Sequence, residues 1–265
     1  MHRKKTVSIF LLFTILVFIP SCAGLSQKKE AEQKTADAYY QLGIQQLNEG
    51  NYQDALLELR KAESFHDDDP KIHDAKGLVY FYTERFDEAE TEYKKAISLN
   101  NGYSNAYVNL GTLYARKEKY TEAIEQYRKA LEDPFYATPA KALHNIGLCY
   151  EKMGNVKDAL SSMLDAVRQD PALLRAYLDL GRLYYQNNQT EEAIQILSKA
   201  IQMHPRAEGD KVNDLSLAYF HYWLALSYFK NSDADNAQVH FQAVMELAPE
   251  SKMADDASSY LDLLQ

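Results

Sequence analysis

The side chains in this 265-residue chain best suited to hold a metal or attack an electrophile are seven histidines and two cysteines. His66 and His73 bracket "DDDPKI", where two imidazoles and neighbouring carboxylates offer ligands to a divalent cation. The same residues also form a polar turn between two helices, with the aspartates capping the second, and that is the reading preferred here. His144, His221 and His240 fall on three separate expected helices. The chain has no glycine-rich phosphate loop, no Gly-x-Ser-x-Gly and no His-Glu-x-x-His. The carboxylates are scattered over expected outer faces, as a solvated surface requires. These observations point away from an enzyme and from a metal or other cofactor. Cys149 sits among apolar neighbours in "IGLCY" and reads as a small core residue. Cys22 is then the cysteine whose setting suggests chemistry.

Cys22 closes the stretch "VFIPSC". Arg3, Lys4 and Lys5 precede the apolar run "TVSIFLLFTILVFIP". That run suits a signal-peptide core and is short of the roughly 20 residues a spanning helix needs. Ser21 before the cysteine, and Ile19 three before it, resemble the bacterial lipobox, in which the chain is cut ahead of the cysteine and lipid is attached to it. Pro20 departs from that pattern, which usually has a small residue or leucine there. The alternative is an ordinary cleaved signal with an incidental cysteine. The resemblance implies a lipoprotein signal peptide over 1–21 and acyl chains on Cys22, the only prosthetic group expected. More than one such chain makes attachment stable. Ala23 after the cysteine, as in enteric lipoproteins, points to the outer membrane, with the chain facing the periplasm and touching the membrane through lipid alone. Residues 22–35 are polar beyond the cysteine and read as a flexible tether. Once Cys22 is acylated, Cys149 has no partner for a disulfide.

Residues 1–21 hold three basic and no acidic side chains, so their removal takes the net charge from −9 to about −12. An acidic chain is a poor nucleic-acid partner. Sparse Gly and Pro with abundant Ala, Leu, Glu and Lys indicate a helical protein.

The elements repeat. "AYYQLGIQQLNEGNYQDALLELRKA", "YVNLGTLYARKEKYTEAIEQYRKA" and "YLDLGRLYYQNNQTEEAIQILSKA" share Leu-Gly, a polar turn and an alanine twelve residues after the glycine. Gly43, Gly77, Gly111, Gly147 and Gly181 mark five copies, followed by Ala55, Ala89, Ala123, Ala159 and Ala193; Ala225 and Ala237 mark a sixth. This resembles the tetratricopeptide repeat, in which small residues let two antiparallel helices approach closely. The resemblance implies an all-α right-handed superhelix of about six repeats over 36–265, near 36–69, 70–103, 104–137, 140–173, 174–207 and 218–250. The segment 251–265 is expected as a capping helix. "DDDP" and "TP" before Lys71 and Ala140 read as N-caps with Pro at the first helical position.

In that family, five positions per repeat point into a concave groove. Carried onto this chain, they make Tyr40, Ile44, Leu47, Leu78, Phe81 and Tyr82 an apolar patch in the first two repeats. Exposed apolar surface of this kind suggests a partner site, and an amphipathic helix or tail suits it. The middle of the groove is basic, through Arg116, Lys141, Lys152, Arg175 and Arg182, which would orient an acidic peptide.

A lipobox followed by about six such repeats resembles the pilotins of type IV pilus systems, the PilF/PilW/Tgl family of outer-membrane lipoproteins. "DPFYATPAKALHNIGLCY" carries the likeness, with Asn145, Gly147 and Cys149 at family positions that read as structural. The resemblance implies a scaffold that binds the secretin subunit and assists its assembly or stability in type IV pilus biogenesis. An envelope adaptor docking peptidoglycan enzymes, or an accessory to another export complex, is the alternative.

Overall fold

The computed structural model describes residues 19–203 and 214–264. Its helices are α1 (Ile19–Asn48), α2 (Tyr52–Phe65), α3 (Pro70–Tyr82), α4 (Phe86–Leu99), α5 (Ser104–Arg116), α6 (Tyr120–Leu131), α7 (Pro139–Lys152), α8 (Val156–Gln169), α9 (Leu174–Gln186), α10 (Thr190–Met203), α11 (Asp214–Lys230), α12 (Ala234–Leu247) and α13 (Lys252–Leu263). No strand occurs among the described residues. The chain divides between Ala106 and Tyr107 into two compact units.

The small residues act as the repeat pattern requires. A Cβ on Gly147 would lie 2.6 Å from Met163 Cγ and 3.2 Å from the carbonyl oxygen of Ala159, the alanine twelve residues on. A Cβ on Gly77 would lie 2.5 Å from the ring of Tyr93. The paired alanines 55, 89, 123, 159, 193 and 237 are all fully buried. Each glycine position therefore seats one large side chain of the second helix, where any Cβ would collide with it.

The turn inside each pair also recurs. Seven residues after each small residue the backbone enters the left-handed region, at Gly50, Glu84, Glu118, Gly154, Asn188 and Ser232, with φ between 59° and 79°. Two of the six are glycine, which adopts this conformation at little cost. Helix starts use side-chain caps selectively. Asp69 accepts from the Lys71 amide at 2.9 Å ahead of Pro70, as "DDDP" implied. Thr138 precedes Pro139 but does not cap; its hydroxyl donates to the Tyr136 hydroxyl at 2.8 Å.

One stretch differs from expectation. Residues 23–35, read as a flexible tether, continue α1 in the structure. Between Ser26 and Asn48 the only interruption-prone residue is Gly43, and Lys28–Glu32, Glu30–Lys34 and Gln33–Asp37 supply i,i+4 contacts. Such pairs add about 0.2–0.5 kcal/mol each to an exposed helix. Residues 26–31 are exposed, and the first buried side chain among those described is Ala36. Of the apolar run read as a signal-peptide core, residues up to 18 lie outside the described residues. Among the described residues, no helix is long and apolar enough to cross a membrane.

At the C-terminal end, α13 lies on α12 and α11. Tyr260 stacks on Phe241 at 5.1 Å and meets Phe229 edge-on at 5.1 Å, while Ala257 is fully buried. The capping helix expected at 251–265 covers Phe241 and Val244, which would otherwise face water.

Candidate functional site

In the first unit, Tyr40, Ile44 and Leu47 lie on one stripe of α1, packed on the buried cluster of Ala55, Leu59, Ala75 and Val79. They are half-buried, so part of each side chain faces solvent. Leu78 and Phe81 on α3 are also half-buried, and Tyr82 is 55 % exposed. Tyr82 stacks on Tyr52 at 5.7 Å and takes the edge of Phe81 at 5.7 Å. Phe81 also leans on Phe86 at 6.0 Å. The aromatics are thus held by neighbours yet retain an open face, the arrangement of a preformed apolar surface. Asp74 borders this stripe: Tyr103 donates to it at 3.4 Å. Burial, together with the charges of Asp74 and Asp69, raises the pKa of Tyr40 and keeps it a neutral phenol.

Buried His73 and Lys76 of α3 meet partly buried carboxylates in a group that the sequence did not announce. Lys76 Nζ sits 2.8 Å from both Glu63 and Glu92, and His73 Nδ1 is 2.7 Å from Glu92. The other ring nitrogen of His73 meets the Asp67 carbonyl at 3.0 Å. His66 turns instead to Asp68 at 2.8 Å. The two histidines therefore serve different carboxylates. Among the described residues no group of three or more His, Cys, Asp or Glu is arranged to hold a metal ion.

In the second unit, two of the five expected basic residues, Arg175 and Arg182, are paired with carboxylates. Arg182 makes a two-pronged bond to Glu151 at 2.7 and 2.8 Å. Arg175 Nε donates to Asp179 at 3.0 Å, and His144 Nε2 meets the same carboxylate oxygen at 3.0 Å. Asp179 is 5 % exposed. Burial opposes its charge, but the bonds from His144 and Arg175 outweigh that and hold its carboxyl below the usual range. Asp179 was missed because it falls between the family's groove positions; the i,i+4 spacing to Arg175 is the signal that was there to use. Arg116, Lys141 and Lys152 are exposed and in no ion pair among the described residues. They are what remains of the basic surface.

Two further histidines taken as isolated meet in the structure. His221 on α11 and His240 on α12 place their Nδ1 atoms 2.9 Å apart, and Tyr228 stacks on His240 at 5.6 Å. Burial and the neighbouring ring push His221 down to about 4. Cys149 is buried, as expected, and burial pushes its thiol up to about 11, so it is a poor nucleophile. The side chain of Cys22 lies outside the described residues.

These surfaces belong to a recognisable architecture. The tetratricopeptide-repeat family model matches residues 68–134, 103–172 and 138–206, and a second model of the same repeat matches 219–251. The human tetratricopeptide repeat protein 6 is 32% identical over 72 residues, which is 27% of this chain and 14% of that protein. Among solved structures, PilF of Pseudomonas aeruginosa superposes with a TM-score of 0.72 at 21% identity, covering 87% of this chain and 99% of PilF. PilW, described as a widely conserved type IV pilus biogenesis factor, gives 0.69 at 19% identity, covering 83% and 97%. YrrB, described as a repeat protein with an unusual peptide-binding site, gives 0.57 at 19% identity over 76% and 97%. At these identities the likeness is one of fold. Repeat register, buried small residues and family match agree: the chain belongs to the tetratricopeptide-repeat proteins.

Proposed function

We propose that this chain is a pilotin: a lipoprotein held on the outer membrane through Cys22, facing the periplasm, that binds a secretin subunit and assists its assembly in type IV pilus biogenesis. The observation that carries the reading is correspondence with nearly the whole length of PilF and PilW, joined to the lipobox-like "IPSC" at the front of the chain. The repeats supply an interaction scaffold. The half-open stripe of Tyr40, Ile44, Leu47, Leu78, Phe81 and Tyr82 is the surface for an amphipathic helix or tail of the secretin. Arg116, Lys141 and Lys152 add positive charge on a chain that is acidic overall, and so favour acidic segments of a partner. Arg175 and Arg182 act chiefly within the scaffold, through Asp179 and Glu151.

The test is photo-crosslinking from position 81 in cells that make the protein, with the captured chain identified by mass spectrometry. Capture of a secretin is expected, together with loss of outer-membrane fractionation in Cys22→Ala. Capture of peptidoglycan enzymes instead would move the protein to the envelope-adaptor class.

A further inference from the structure

Each repeat carries a residue just before its small Gly or Ala: Leu42, Lys76, Leu110, Ile146, Leu180 and Leu224. In the last five repeats this side chain is at most 5 % exposed; in the first, Leu42 is 40 % exposed. Its surroundings are apolar too. Tyr39, one turn earlier on α1, stacks on Phe65 at 5.9 Å and lies under Lys61 Nζ at 5.4 Å. Phe65 and Leu57 share the Lys61 stripe of α2 and are 43 % and 52 % exposed. Repeats two to five place Thr91, Glu125, Ser161 and Gln195 where repeat one has Leu57. Leu42, Leu57 and Phe65 therefore form an apolar end face that is open among the described residues, whereas α13 closes the other end of the chain.

The repeats themselves show what such a face accepts. Leu180 shares a buried cluster with Met163, Ala166 and Val167 of the preceding helix α8; Leu224 shares it with Leu197 and Ala200 of α10. In both cases the cover is an amphipathic helix with small and aliphatic residues three and four apart. We infer that the end face of repeat one docks one such helix, donated by another polypeptide, which completes the stack as a preceding repeat would. A stack of this kind leaves its terminal apolar face exposed unless something caps it. This site is separate from the stripe through Phe81 and does not depend on it.

The experiment places a photo-crosslinking amino acid at position 42 of the full chain in producing cells and sequences the peptide it captures. A helix-forming segment of another protein, with apolar residues at i, i+3 and i+4, is expected. Its yield should fall at least tenfold in Leu57→Glu, a variant whose melting temperature should stay near that of the parent because that side chain is 52 % exposed. Capture of a second copy of this chain, of its own residues 1–18 or of lipid would overturn the proposal. Absence of capture at 42 while position 81 captures would also overturn it and leave the groove reading standing. Capture at 42 with none at 81 would do the reverse.

Discussion

At the scale of single residues, Asp179 organises more of the second unit than any residue singled out from the sequence. One carboxylate receives His144 and Arg175, and lies 3.6 Å from Arg182, which Glu151 also holds. Removing one member of a buried ionic group leaves the others uncompensated. Asp179→Ala is therefore expected to cost about 3 kcal/mol, although Arg175, with a side chain 71% exposed, will relax into water and contribute little to that loss. Urea denaturation gives the value. A loss under about 0.5 kcal/mol would mean that solvent already screens the group. The pairing also explains why counting Arg and Lys along a groove overstates its charge: family positions identify which side chains point inward, but not which of them meet a carboxylate one turn away.

At the scale of elements, the repeat unit is held by three recurring features: the glycine that seats a bulky side chain, the alanine twelve residues later, and the left-handed turn residue between them. The third is not optimised. Glu118 adopts φ 59°, a conformation that costs a residue with a side chain roughly 1 kcal/mol. Glu118→Gly should raise stability by about 0.5 kcal/mol, the gain being offset in part by glycine's greater freedom in the unfolded chain. A thermal melt of the variant measures this, and a lowered Tm would show that the glutamate contributes through contacts of its own. The N-terminal stretch of α1 makes a related point. Polar composition suggested a tether at 22–35, yet residues with good helix propensity and i,i+4 pairs extend the first repeat helix outward.

At the scale of the molecule, a histidine in the first unit and a histidine pair in the second are expected to respond to pH in opposite directions. In the first, burial opposes a charge on His73, but its bonds to Glu92 and the Asp67 carbonyl, and the charge of Glu92, raise its pKa; the nearby Lys76 works against this. A raised histidine pKa stabilises the fold below the unfolded value of about 6.5, and that contribution fades as pH rises through the folded value. In the second unit, burial keeps His221 and His240 neutral and pushes His221 down to about 4. That contribution is complete above about pH 6.5 and is lost as pH falls toward 4. His221→Asn should thus flatten the loss of stability between pH 6.5 and 4, and His73→Gln should flatten the loss above pH 6.5. Hydrogen exchange, read separately for residues before and after 106, distinguishes the two. Equal responses in both units would contradict this assignment.

The sequence by itself determined the helical class, the register of the repeats and the capping helix. These follow from local spacing: a glycine and an alanine twelve apart can only recur where two helices must touch at that point. Tertiary structure alone decided the rest. Asp179 and Arg182 meet Glu151 and His144 from different helices, and His221 meets His240 nineteen residues away. The exposure of Leu42 is likewise invisible in the sequence, because Leu42 looks the same there as Leu110 and Leu180, which are buried. Whether it is core or surface depends on whether a preceding helix covers it, and that is a property of the stack.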